Sequence, residues 1–132
     1  MSRLVIGLGF RDQATAQSIA EVLAGVIAQA AMPDVTPVLA VVEDKATHQG
    51  LLTAAHGAHL SIKSVAAGML RAADARVTTR SERVLRQRGV GSVCEAAALA
   101  VAGSAARLIV TRQVSADRNA TAAAALSKDI TP

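Results

Sequence analysis

Arg88-Gly89-Val90-Gly91-Ser92-Val93-Cys94-Glu95 brings together the residue types that build an anion site. Gly89 and Gly91 permit unusual backbone angles and close approach. Ser92 is placed to cap a helix, and Glu95 stands three residues on, where its side chain can reach back to the Ser92 amide as a capping box. The alanine run that follows favours helix. A glycine turn opening a helix aims the first N–H groups outward, toward negative charge. Six of the eleven arginines, Arg71, Arg76, Arg80, Arg83, Arg86 and Arg88, fall in eighteen residues, offset only by Asp74 and Glu82. Arginine forks match carboxylate and phosphate, and the chemistry indicated is recognition of a polyanion.

Other groups could carry chemistry. Gly7-Leu8-Gly9 ends an apolar run and resembles part of a dinucleotide fingerprint, but Asp12 stands where its third glycine would be. These glycines otherwise serve close packing of the first helix on the sheet. Glu43-Asp44-Lys45 follows a strand and offers two carboxylates for proton transfer, or simply a solvated turn. Cys94 near a helix start would be reactive if exposed and is inert if packed. His48, His56 and His59 lack the Cys or acid partners of a tetrahedral site, so no metal is expected. Asn119-Ala120-Thr121 matches a glycosylation sequon, without meaning in a chain that shows no secretory signal.

The elements that must position these groups follow from composition and pattern. The 132 residues are 52% hydrophobic and 18% charged, with net charge +4. That fits one globular domain with a core of its own. The single cysteine excludes an internal disulfide and suits a reduced, cytoplasmic setting. No apolar stretch is long enough for a signal peptide or a bilayer span. One Phe and no Trp or Tyr leave no platform for stacking bases, so nucleic acid is not expected as a partner.

Leu4–Phe10, Val38–Val42, His59–Lys63 and Arg107–Thr111 are expected as strands. A helix over Gln13–Ala31 would be capped by Asp12 and stopped by Pro33. A second is expected over Thr47–Ala55, ended by Gly57. Ser64 would cap a short one reaching Ala73, Ser81 one over Glu82–Arg88 closed by Gly89, and Ser92 the central one over Val93–Ala102. Ser115–Asn119 is turn-like. Asn119–Leu126 stays open between an alanine helix over Ala122–Ala125 and a hairpin strand, and the tail from Ser127 should fray. The alternation implies a three-layer α/β/α domain with right-handed crossovers.

Taken in order, Gly7-Leu8-Gly9-Phe10-Arg11, Asp44-Lys45, Gly50-Leu51-Leu52, Ser81-Glu82 and Gly89-Val90-Gly91-Ser92-Val93-Cys94-Glu95-Ala96-Ala97-Ala98-Leu99 resemble the CobE family of cobalamin biosynthesis, itself similar to the C-terminal domain of CbiG proteins. The resemblance spans residues 3–126. It implies a mixed, mostly parallel sheet of about five strands whose last strand is antiparallel, and so makes Ala120–Leu126 a strand against Leu108–Thr111. It also implies a role in building the corrin ring. The larger CbiG proteins, with a further N-terminal region, are implied to open a ring lactone, whereas a stand-alone chain of this kind is implied to serve the aerobic route. Departures from the family pattern are Phe10 for a frequent Cys, Arg112 for a Lys, Ala14 for a helix-capping Thr, and no acid near His48.

Corrin intermediates carry many carboxylates, and the physical and family readings meet there. The expected site is a crevice at the carboxyl ends of the strands. Gly7, Gly9, Arg11, Lys45, Gly89, Gly91, Ser92 and Arg112 would hold the ligand, with Glu43 or Asp44 as proton carriers. The expected role is an accessory or carrier protein for a precorrin or corrinoid, needing no cofactor and no membrane, with other enzymes of the pathway as further partners and homo-oligomers left open. A precorrin lactone hydrolase and a nucleotide-binding regulatory domain are the alternatives.

Overall fold

The computed structural model describes residues 3–127. Among these residues five strands and five helices follow in the order β1 (Leu4–Phe10), α1 (Ala16–Ala30), β2 (Val38–Val42), α2 (Gln49–Ala58), β3 (Ile62–Val65), α3 (Ala67–Ala72), α4 (Glu82–Arg88), α5 (Val93–Ala102), β4 (Arg107–Val114) and β5 (Ala120–Leu126). Short 3-10 turns occupy Glu43–Lys45 and Asp74–Arg76. The sheet order is β3-β2-β1-β5-β4. β1, β2 and β3 are parallel, and β5 runs antiparallel to both β1 and β4. This is the mixed sheet with an antiparallel last strand that the sequence resemblance implies. Among the described residues no helix is long and apolar enough to cross a membrane.

Alternate side chains of a strand face opposite sides, and β1 divides its residues accordingly. Leu4, Ile6 and Leu8 pack with Ile19, Leu23 and Val26 of α1 and Leu51 of α2. Val5 faces the other layer, with Leu70 of α3 and Ala96, Ala97 and Leu99 of α5. β5 splits likewise: Ala122 and Ala124 lie under α1, and Ala125 under α5. Its alanines have little strand propensity of their own. They form a strand because two ladders, to β1 and β4, satisfy the backbone on both edges.

Gly7 sets how closely α5 approaches. A Cβ there would lie 1.9 Å from the Cys94 carbonyl oxygen and 2.7 Å from the Ala98 nitrogen. The glycine therefore serves α5, not the start of α1.

Several boundaries differ from the sequence expectation, in part because a distant partner outcompetes a local signal. Thr15, not Asp12, caps α1, accepting from the Ser18 amide at 3.1 Å, while Asp12 is taken by Lys45. α2 is capped by His48, whose Nδ1 accepts from the Leu51 amide. It runs through Gly57, which faces open space, and ends at His59 in the left-handed conformation. β3 starts only at Ile62, and pairing with β2 up to Val42–Val65 draws Ser64 into the strand, so α3 begins without a side-chain cap. β4 continues to Val114 along β5. The expected α4 and α5 limits and their Ser81 and Ser92 caps match the structure. Ser127 is tied to Arg3 by two hydrogen bonds rather than frayed. The rest of the expected tail, 128–132, lies outside the described residues.

The close α5–β1 approach generates a paired test. Gly7→Ala should cost about 3 kcal/mol or more in a urea unfolding titration, since backbone on both sides would have to move. Gly25→Ala, in α1 with nothing within 4 Å of the added Cβ, should instead gain about 0.5–1 kcal/mol.

Candidate functional site

A cleft of about 530 Å³ opens where β1 and β2 end and β5 begins. Its walls are the Phe10–Gln13 segment, Lys45, one side of α4, the start of α5, Arg112 of β4 and the β4–β5 hairpin. Six cationic side chains line it, Arg11, Lys45, Arg83, Arg88, Arg112 and Arg118, against one carboxylate, Asp12. Charges of one sign in a concave site add to a field that draws an anion in.

Two of the six are held by carboxylates of the chain. Lys45 Nζ donates to Asp12 Oδ1 at 2.6 Å and to the Phe10 carbonyl at 3.1 Å, and it sits 5.5 Å from the Phe10 ring centre. The Lys45 hydrogen bond, then the Lys45 charge, holds the Asp12 carboxyl below its usual range. Arg88 spans both oxygens of Asp44, at 3.1 and 2.9 Å. Arg11, Arg83, Arg112 and Arg118 make no side-chain ion pair among the described residues. Their forks are available to a ligand.

Arg112 is aimed by a buried carboxylate. β4 bulges against β5, Thr111 and Arg112 standing opposite the single Ala123, and a bulge re-aims side chains. The Arg112 amide leaves the ladder and donates to Glu95 Oε2 at 2.9 Å. Glu95 is fully buried. It also accepts from the Thr78 and Thr79 amides and the Thr79 hydroxyl, each at 2.8 Å. The capping box is therefore only half formed: the Ser92 hydroxyl accepts from the Glu95 amide at 3.5 Å, but the Glu95 side chain turns away to a segment sixteen residues distant.

The hairpin is anchored to α1. Asp117 accepts from the Ser115 hydroxyl at 2.6 Å, from Ser18 of α1 and from the Asn119 amide at 3.0 Å. Glu21 of α1 accepts from the Ala116 amide at 2.8 Å. The Ser115 and Ser18 hydroxyls and then the Asn119 amide draw the Asp117 carboxyl down to about 2.

The structure redistributes the residues expected from sequence. Gly9, Arg11, Lys45, Ser92 and Arg112 line one cleft, whereas Gly7 lies beneath α5. Gly89 and Gly91 are corrected: their amides do not face a ligand. The Gly89 amide closes α4 on the Leu85 carbonyl, and the Gly91 amide donates to Asp74 Oδ1 at 2.8 Å. That amide and then Arg80 lower the Asp74 pKa. Glu43 is exposed outside the cleft, and Asp44 is spent on Arg88.

The arginine cluster is likewise divided. Arg76 binds the carbonyls of Gly103 and Ser104, Arg80 binds Asp74, and of the six only Arg83 and Arg88 line the cleft. Cys94 is buried, and burial pushes its thiol pKa up, away from nucleophilic chemistry. The three histidines do not converge, and among the described residues no group of three or more metal-ligating side chains forms. Sequence reasoning passed over Arg118, because the turn that carries it gives no sign of which way its side chain projects.

Comparison with known proteins comes to the same fold. The family model described as cobalamin synthesis G C-terminus matches residues 4–125. The chain is similar to the crystal structure of CobE, a protein from the cobalamin (vitamin B12) biosynthetic pathway. Identity is 26% and TM-score 0.85, covering 98% of this chain and 94% of that one. It is also similar to the cobalamin biosynthesis protein chiG from Agrobacterium tumefaciens str. C58. There identity is 39% and TM-score 0.70, over 96% and 99% of the two chains. No curated protein matches the chain at a significant level.

Two tests follow from the anchors. Glu95→Gln puts an amide NH2 against donors and should cost roughly 3 kcal/mol in chemical denaturation. Asp117 bears on acid stability. Its folded pKa of about 2 lies below the unfolded 3.8, so its stabilisation is present above the unfolded value and is lost as pH falls between the two. Asp117→Asn should therefore flatten the loss of thermal stability between pH 4 and pH 2. Asp12 and Asp74, shifted in the same direction, keep part of it.

Proposed function

The chain belongs to the cobalamin synthesis G C-terminus family and takes part in cobalamin biosynthesis, and from that premise we propose that its cleft binds an anionic precorrin or corrinoid, on the aerobic route, as an accessory or carrier protein. The observation that carries this reading is the six-to-one excess of cationic over acidic side chains in one cleft. A corrin intermediate is a flat macrocycle fringed with carboxylates. Arginine forks on several walls suit such a rim better than a point charge does. Phe10, Val42, Val84 and Val93 add apolar surface among the cations, against which a ring can lie.

Binding without turnover is favoured by what the lining groups already do. Asp12, the one lining acid, is bound to Lys45. The Ser81 and Ser92 hydroxyls accept helix amides as caps, and Thr121 donates to the Gly9 carbonyl. No lining side chain is paired with a base as an activated nucleophile requires. The acids expected to move protons, Glu43 and Asp44, stand outside the cleft or are paired.

The test is a visible-absorbance titration of the protein with hydrogenobyrinic acid. A saturable spectral change that weakens at high salt is expected, since salt screens such contacts. Arg11→Ala, Lys45→Ala and Arg112→Ala should each weaken binding about tenfold, and Glu43→Gln should leave it unchanged. A flat titration overturns the proposal, and turnover of the added corrinoid would replace the carrier role with a catalytic one.

A further inference from the structure

The hairpin between β4 and β5 has a backbone feature that packing does not require. Arg118 adopts φ +64°, in the left-handed region that glycine occupies freely and other L-residues at a cost. A glycine would satisfy the turn, whose Arg118 amide donates to the Ser115 carbonyl whatever the side chain is. Yet the position holds an arginine that is exposed, lines the cleft and has no side-chain partner among the described residues.

The surrounding contacts make the turn rigid. Asp117 gathers Ser115, Asn119 and Ser18. Glu21 holds Ala116, and the Asn119 carbonyl accepts from the Arg11 amide at 2.9 Å. Strained backbone persists where its surroundings over-determine it, and such positions cluster at ligand clamps.

Resting on the corrinoid-binding reading, we propose that Arg118 is a ligand-clamping residue, presented to a peripheral carboxylate of the ligand by a hairpin that Asp117 and Ser18 lock to α1. Arg118 would make the contact. Asp117 is a positioning residue that touches no ligand and acts only through Arg118. Arg11, at the end of the neighbouring β1, lines the same cleft.

The experiment measures stability and hydrogenobyrinic acid affinity together. Arg118→Gly removes both the side chain and the strain. Its melting temperature should rise by about 2–4 °C, while affinity falls about tenfold. A residue with only a structural role could not move the two in opposite directions. Asp117→Asn should weaken binding in the wild-type background but not further in the Arg118→Gly background, a non-additivity that marks action through the arginine. Equal affinity of wild type and Arg118→Gly overturns the assignment and leaves the binding reading standing. Additive losses in the double variant overturn the positioning role of Asp117. A wild-type protein that does not bind the corrinoid overturns the clamp and the binding reading together.

Discussion

The Glu95 carboxylate is the constraint on which the cleft depends. Burying a charge costs several kcal/mol unless hydrogen bonds replace its hydration. Here four donors converge from two directions: Thr78 and Thr79 on the segment before α4, and Arg112 at the bulge of β4. One side chain on α5 thereby joins two walls that have no sequence continuity with each other. The price of leaving any of these donors unpaired in the interior is what holds both walls in place. Because Arg112 is fixed through its backbone amide, its guanidinium stays free.

Small residues make that geometry reachable. α5 lies close enough to β1 that even a Cβ at Gly7 would collide with its backbone, and it presents Ala96, Ala97 and Ala98 to a sheet whose inner strand β5 offers alanines in return. With one aromatic residue in the whole chain, the core relies on backbone proximity more than on large side chains. Close packing at this density transmits displacement rather than absorbing it. The floor of the cleft, Gly9 and Val93, is thus as fixed as the core beneath it.

How much of this was legible depends on the range of the signal. Where a cap and its helix are adjacent, as at Ser81 and Ser92, the pattern is local and the boundaries agree to the residue. Where the partner is far away, local signals mislead. Ser64 has the chemistry of a cap but lies in a strand because β2 pairs with it. Ala120–Leu126 has the propensity of a helix but fills a slot between two strands, and only the family resemblance decided between helix and strand. The site divides the same way. Arg11 and Lys45 follow strand ends and could be placed from the sheet rule alone. The glycine turn looked like an anion site, yet Asp74, seventeen residues before Gly91, had already claimed the amide. Glu95 and Arg118 owe their roles to hydrogen bonds closed by tertiary structure, and no spacing in the chain announces them.

The charge arrangement bears on the proposed binding role. Lys45 and Arg88 are oriented by Asp12 and Asp44, both of them exposed carboxylates. The carboxylate side of each pair is open to water, where ion pairs are weakened by hydration and salt, so an incoming carboxylate can compete for either cation. Until then the internal acids keep the two cations extended toward the cleft and limit their mutual repulsion. Arg11, Arg83, Arg112 and Arg118 need no such exchange and can meet a ligand first. A site built from free arginines backed by exchangeable pairs gains contacts stepwise and can lose them stepwise. The proposed carrier role would require this behaviour of the cleft, where a site of buried, irreplaceable ion pairs would retain its ligand.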